Sequence, residues 1–172
     1  MRIRRKTTAA AESPRRKGDK PETLNYMDRK IGIASDHAGY ELKELLAGYL
    51  SAKGYEVYDL GCNSKESCDY PDYAHPLAEA LEAGEIPRAI GICGSGEGMA
   101  MTLNKHRSVR ASLCWTPEIA HITRRHNDSN ILVLPARFID SDTAVAILEE
   151  WLNTDFESGG RHERRIAKIP VK

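Results

Sequence analysis

The chain of 172 residues sets 25 Lys and Arg against 25 Asp and Glu, carries no formal net charge and is 41% hydrophobic. That length and composition describe one ordinary soluble domain. No apolar run approaches the roughly 18 residues of a membrane helix, and 13 Gly and 8 Pro are too few for a fibrous or low-complexity chain, so a membrane span, collagen and wholesale disorder are excluded.

The zero net charge conceals an asymmetry. Residues 1–30 hold ten Lys/Arg against four Asp/Glu, and residues 31–172 hold 15 against 21, so a basic leading stretch precedes an acidic body. That stretch lacks hydrophobic periodicity and the apolar core of a secretory signal, and it reads as a disordered basic extension over 1–27 ahead of a single domain over 28–172. A solvated extension or a mis-assigned start competes there with a nucleic-acid-binding arm and an organelle transit peptide. The acidic body, with no basic stripe interleaved with aromatics, argues against a nucleic-acid partner. Cys62, Cys68, Cys93 and Cys114 fall at uneven spacings with no C-x-x-C pair, which points to free thiols in a reducing, cytoplasmic setting. No H-E-x-x-H and no Cys/His cluster with zinc spacing occurs, so no metal is expected.

In chain order from residue 30, β-rich runs alternate with helical ones five times. Strands are predicted at Lys30–Ser35, Tyr55–Leu60, Arg88–Cys93, Val109–Cys114 and Asn130–Leu134. Most are continuous apolar runs, as expected of parallel strands covered on both faces. The first helix, near Gly39–Lys53, sets Leu42, Leu45, Leu46, Tyr49 and Leu50 on one stripe, with Gly54 placed for a C-terminal cap. Helices near Tyr73–Ala83 and Gly98–His106 fill the next crossovers, and Thr116-Pro117-Glu118 opens another with Pro in its first turn. The last long helix starts after Asp140 or Ser141 and repeats the stripe with Ala144, Ile147, Leu148, Trp151 and Leu152. Right-handed connections then give a three-layer, doubly wound (Rossmann-like) α/β fold around a five-stranded parallel sheet.

Such sheets bind ligands beyond the carboxyl ends of their strands, beside a switch in strand order. For an order 2-1-3-4-5 the switch lies between strands one and three. There the sequence reads Asp36-His37-Ala38-Gly39 and Cys93-Gly94-Ser95-Gly96-Glu97-Gly98. The second run presents backbone N–H groups without side-chain obstruction and leads into a helix, an arrangement that holds anions. It is not a Walker A loop, since no Gly-Lys-Ser/Thr closes it, and its glycines miss the G-x-G-x-x-G spacing. A Cys-x5-Arg phosphatase loop also fails, because Met99 stands where the arginine belongs. Cys93 is open to two readings: a buried thiol at a strand end, or a thiol drawn toward thiolate that acts as nucleophile or as a base on a carbon acid, with the amides holding an enediolate. Further polar runs occur at Arg124 to Asp128, at Arg137 and at Gly159 to Arg165. Each taken alone reads as solvated surface, but Arg161 and Arg165 stand at i, i+4 on one face of a short terminal helix, where they can grip a phosphate.

Together, S-D-H-A-G near residue 36, D-Y-P-D-Y-A from Asp69, C-G-S-G-E-G from Cys93, N-K at Asn104, R-H-N-D from Arg125, the arginine of P-A-R and G-G-R-H-E-R-R from Gly159 resemble a known family. It is that of the B-type ribose-5-phosphate isomerases, which also contains the galactose-6-phosphate isomerase subunits. The match runs colinearly from Lys30 to about Ile169. The resemblance implies an aldose–ketose isomerase of the non-oxidative pentose phosphate pathway, working without cofactor. Cys93 would move a proton between C1 and C2, while the amides of Gly94, Gly96, Glu97 and Gly98 and the Ser95 hydroxyl hold the enediolate. His126 would open the furanose. Asp36 and His37 would lie at the sugar and phosphate, Asn127 would hold a hydroxyl, Arg137, Arg161 and Arg165 would bind the phosphate, and Asp69 and Tyr70 would form the pocket wall. Anchoring a dianionic phosphate by guanidinium groups supplies binding energy far from the reacting carbons. Many relatives have Thr in place of Ser95, which keeps the hydroxyl. A branch without the cysteine uses a glutamate where this chain has Met99, so the cysteine mechanism is the one expected here.

His126 and Asn127 precede the fifth strand and therefore belong at the amino edge of the sheet, opposite Cys93. This predicts a composite site in a homodimer or dimer of dimers, one subunit giving Asp36, His37 and the Cys93 loop and its partner giving His126, Asn127 and arginines. Six-carbon substrates, allose 6-phosphate or galactose 6-phosphate, are the near alternative. A non-catalytic anion-binding module is the more distant one, and a regulatory or nucleic-acid role for the tail ranks last.

Overall fold

The computed structural model describes residues 27–171. The extension read over 1–27 lies outside the described residues apart from Met27, which opens a 3-10 turn over Met27–Arg29. The elements that follow are β1 (Lys30–Ser35), α1 (Tyr40–Ala52), β2 (Glu56–Asp59), α2 (Pro71–Glu82), β3 (Ala89–Cys93), α3 (Glu97–Leu103), β4 (Ala111–Leu113), α4 (Pro117–Asn127), β5 (Ile131–Pro135), α5 (Ser141–Asn153) and α6 (Arg161–Ile166). All neighbouring strands pair in parallel in the order β2-β1-β3-β5-β4.

The expected order of the last two strands is thus reversed, and burial gives the reason. Every residue of β5 is buried, whereas the three residues of β4 are only half-buried. A run of five apolar residues is covered best between two strands, and a short, half-polar one tolerates the edge. The switch point between β1 and β3 is unaffected.

Strand alternation divides the core into two halves, one on each face of the sheet. Ile31, Ile33, Ile90, Ile92, Leu132 and Leu134 pack against Leu46 and Leu50 of α1 and Ala144, Ile147, Leu148 and Trp151 of α5. Ala89, Cys93, Ile131 and Val133 face the other way, onto Ala74, Leu77 and Ala78 of α2 and Met99 and Leu103 of α3. Each fully buried Leu or Ile contributes about 1.5–3 kcal/mol relative to exposure. On the second face α3 approaches very closely: a Cβ on Gly91 would lie 2.9 Å from Met99 Cγ. Met99 is therefore a packing residue beneath the loop.

Three local readings are corrected. Helix α2 begins at Pro71, two residues before the predicted start, because proline's fixed φ suits a first helical turn. Helix α3 ends at Leu103, short of the expected His106, with Asn104 at its C-cap. Leu45, assigned to the buried stripe of α1, is 41% exposed, while Lys43 is fully buried and tied to Asp59 and Glu44. Its long stem occupies apolar space and its ammonium reaches carboxylates at the rim.

Candidate active site

Strands β1 and β3 pair with Ser35 opposite Ile92, so the next residues of each chain segment, Asp36 and Cys93, emerge side by side at the carboxyl edge. Asp36 donates its N–H to Ile92 O at 3.1 Å. Its Oδ1 accepts from the N–H groups of Ala38 and Gly39, each at 3.0 Å, which shapes the turn into α1. Neither of these two bonds uses Oδ2. Gly39 has no room for a side chain, since a Cβ there would lie 2.7 Å from Ile92 Cγ2. His37 Nδ1 lies 3.2 Å from both the N–H and the carbonyl oxygen of Cys68. The ring is thereby fixed to the loop before α2, and Nε2 remains for a ligand.

Cys93 is buried, at 4% exposure, and its Sγ accepts the Gly96 N–H at 3.1 Å. Gly96 has φ +79°, and a Cβ there would meet Leu113 Cδ1 at 2.3 Å, so both the left-handed turn and the tight fit require glycine. Among the described residues the N–H groups of Gly94, Ser95 and Gly98 have no acceptor within the chain. Ser95 Oγ accepts the Glu97 N–H at 3.4 Å, which leaves its own O–H to donate outward. Glu97 is exposed, and what it adds to the loop is its backbone.

The loop is stapled to β5. Ala136 N–H donates to Cys93 O and Arg137 N–H to Gly94 O, each at 3.0 Å. These bonds extend the β3–β5 ladder past the strand ends and lay the Arg137 side chain over the loop, with Cδ and Nε each 3.4 Å from where a Gly94 Cβ would stand. On the opposite flank the Tyr70 ring covers Gly98, 2.4 to 2.8 Å from the position of a Cβ. Asp69 is its exposed neighbour. One chain therefore assembles Asp36, His37, Asp69, Tyr70, the Cys93 loop and Arg137.

His126 and Asn127 stand elsewhere. They end α4, which runs back to the amino edge and leads into β5. From Ile131 to Pro135, the residue paired with Cys93, β5 spans about 13 Å. Asn127 lines a different cavity, of about 230 Å³, with Asn104, Arg110 and Ser112. Arg161 and Arg165 are exposed on α6, which packs against α4. The sequence reading overlooked His162, whose ring stacks on His126 at 4.2 Å between centroids. The signal was present: His162 and Ile166 stand at i, i+4, about 100° around α6 from the arginines, but a six-residue helix is too short for that pattern to stand out.

The four cysteines are free thiols. Burial pushes Cys114 up to about 11, and burial with the neighbouring Cys62 raises Cys68.

Set against known proteins, residues 31–169 match the Ribose/Galactose Isomerase family. The chain is 39% identical over 141 residues to ribose-5-phosphate isomerase B of Escherichia coli (strain K12), covering 82% of this chain and 94% of that one. A solved ribose 5-phosphate isomerase from Thermotoga maritima superposes with a TM-score of 0.80 at 50% identity, over 82% of this chain and 97% of the other. Ribose-5-phosphate isomerase B from Mycoplasma genitalium, solved with bound ribulose-5-phosphate, superposes with a TM-score of 0.77 at 39% identity, over 81% and 93%.

Proposed function

The chain belongs to the ribose/galactose isomerase family and is an aldose–ketose isomerase; we propose that it interconverts ribose 5-phosphate and ribulose 5-phosphate, in the pentose phosphate pathway of a reducing cytoplasm, with Cys93 as the base. The observation that carries this reading is the Cys93 sulfur itself, held by the Gly96 N–H at 3.1 Å in a loop where, among the described residues, the amides of Gly94, Ser95 and Gly98 have no protein acceptor. The thiolate takes the C2 proton of the open-chain aldose. The C–H electron pair becomes the C1=C2 double bond, and the charge collects on O1. The amides of Gly94, Ser95 and Gly98, with the Ser95 hydroxyl, stabilise that enediolate where charge develops. The Cys93 thiol returns its proton to C1, and a proton passes from O2 to O1, leaving the ketose. Asp36 Oδ2 and His37 Nε2 hold sugar hydroxyls and phosphate beside the loop, and Arg137 adds a guanidinium to the phosphate.

A ribofuranose must open before it can lose its C2 proton. We assign that step to His126, with Asn127, Arg161 and Arg165, supplied by a second copy of the chain. Support comes from the opposite-edge placement of these residues and from apolar surface at the carboxyl edge, where Phe138 beside Arg137 is 74% exposed and Trp115 is 53% exposed. A homodimer or a dimer of such dimers covers that surface and completes two sites.

Proton NMR in D2O with ribose 5-phosphate, allose 6-phosphate and galactose 6-phosphate in separate samples tests the assignment. Fastest conversion of ribose 5-phosphate, with solvent deuterium entering the product and no turnover by Cys93→Ala, is the expected result. Preference for a hexose phosphate would move the substrate to six carbons. Substrate binding without deuterium exchange in any sample would leave only an anion-binding module.

A further inference from the structure

His162 lies outside the chemistry assigned above, yet it makes a close ring contact with His126. The two imidazole planes are 3° from parallel with centroids 4.2 Å apart. His162 is the buried member of α6, at 9% exposure, while Arg161 and Arg165 on the same helix are exposed. Arg161 Nε–H donates to His162 Nε2 at 3.5 Å, which makes that nitrogen an acceptor and puts the ring hydrogen on Nδ1. Burial, then the His126 ring and the Arg161 guanidinium, hold the His162 imidazole below its ordinary value, with Arg165 acting the same way and the Glu157 carboxylate opposing. Glu157 is itself bound by Arg125 of α4 at 2.9 Å. The charged groups around the pair are therefore Arg161 and Arg165 from α6, Arg125 from α4 and Glu157 from the segment between α5 and α6.

This environment gives the two histidines different tasks. His126 is half-exposed at the end of α4, where an unsupported imidazole turns freely about its second side-chain torsion. A flat neighbour fixes the plane of that ring. Because burial and the Arg161 guanidinium keep the neighbour neutral, it adds no second positive charge beside His126. Opening the furanose breaks the C1–O bond with its electron pair going to the ring oxygen. That oxygen takes a proton from His126, and the C1 hydroxyl gives one up to water as the aldehyde forms. The step depends on ring orientation, since a donor turned out of line with the ring oxygen cannot deliver its proton.

We propose that His162 is a positioning residue for ring opening, its stacked imidazole holding the His126 ring in the plane from which it serves the furanose oxygen. The proposal rests on the isomerase reading above.

The test compares two assays on the full chain. Turnover of ribose 5-phosphate requires ring opening. Deuterium exchange at C1 of ribulose 5-phosphate does not, because the phosphate on O5 prevents that ketose from forming a furanose. His162→Ala is expected to lower kcat on ribose 5-phosphate about 2- to 13-fold, the worth of an aromatic stack, with KM and the exchange rate unchanged. His162→Phe restores most of kcat, since it keeps a flat ring. Should the alanine variant melt early, His162→Gln takes its place, offering Arg161 an acceptor but His126 no ring. Equal losses in both assays, failure of His162→Phe to rescue, or a rise in KM alone would each overturn the proposal, the last by placing His162 on the phosphate. Absence of exchange in the unmodified chain would remove the isomerase reading itself, and the positioning role with it.

Discussion

If Cys93 and His126 of different subunits share each site, two inactive variants must rescue one another. Pro135 pairs with Cys93 at the carboxyl edge and Ala89 pairs with Ile131 at the amino edge, so the length of β5, about 13 Å, separates Cys93 from the end of α4. Proton transfer needs about 3 Å. Cys93→Ala and His126→Ala each lose about 100-fold or more as single variants. Unfolded together and refolded as an equal mixture, random pairing makes about half of the dimers hybrid. Each hybrid dimer has one site with both mutations and one with neither, so the mixture recovers about one quarter of wild-type activity. The assay is ribose 5-phosphate turnover after co-refolding, with hybrid dimers counted by native mass spectrometry. Hybrids formed in full yield, with activity no higher than the parents', would show that one chain brings both residues to the same substrate and would refute the topological argument.

Two further outcomes are expected. A Cβ at Gly98 would stand 2.4 Å from Tyr70 Cζ, and Tyr70 is 37% exposed, so Gly98→Ala swings the ring into solvent. Unfolding free energy should stay within about 1 kcal/mol, since alanine also improves the helix, while turnover falls roughly tenfold through loss of the pocket wall. In a Tyr70→Ala background the same substitution adds no further loss, and additive effects in this cycle would sink the idea. Cys114, fully enclosed, is pushed by burial from an ordinary 9.0 to about 11. Below pH 9 its thiol is largely protonated whether folded or unfolded; above it the unfolded chain ionises first, so stability falls with rising pH through this window, by about 2.3 kcal/mol at pH 11. Denaturant titrations from pH 8.5 upward should show this slope and its disappearance in Cys114→Ala; equal slopes would contradict it.

Five parallel strands, their approximate bounds and the two loops that meet at the switch point were legible in the residues, because a strand buried on both faces needs a continuous apolar run and an anion-binding loop needs glycine. The tight packing of Gly39 under Ile92 and of Gly96 against Leu113 follows the same logic of close approach. Lys43 was not legible: a lysine on an apolar stripe is usually solvated, and only its reach to Asp59 and Glu44 accounts for its burial. His162 escaped notice because α6 is too short to display a period.

The sequence by itself determined which residues reach the carboxyl edge of the sheet at the switch point, since local backbone geometry carries Asp36, His37 and the Cys93 loop there directly from β1 and β3. Only the tertiary structure decided the order of β5 and β4, the lie of Arg137 over Gly94 and Tyr70 over Gly98, and the stacking of His162 on His126. Those features depend on which surfaces remain to be covered once the sheet has formed, and such competition among distant residues leaves no local signature in the chain.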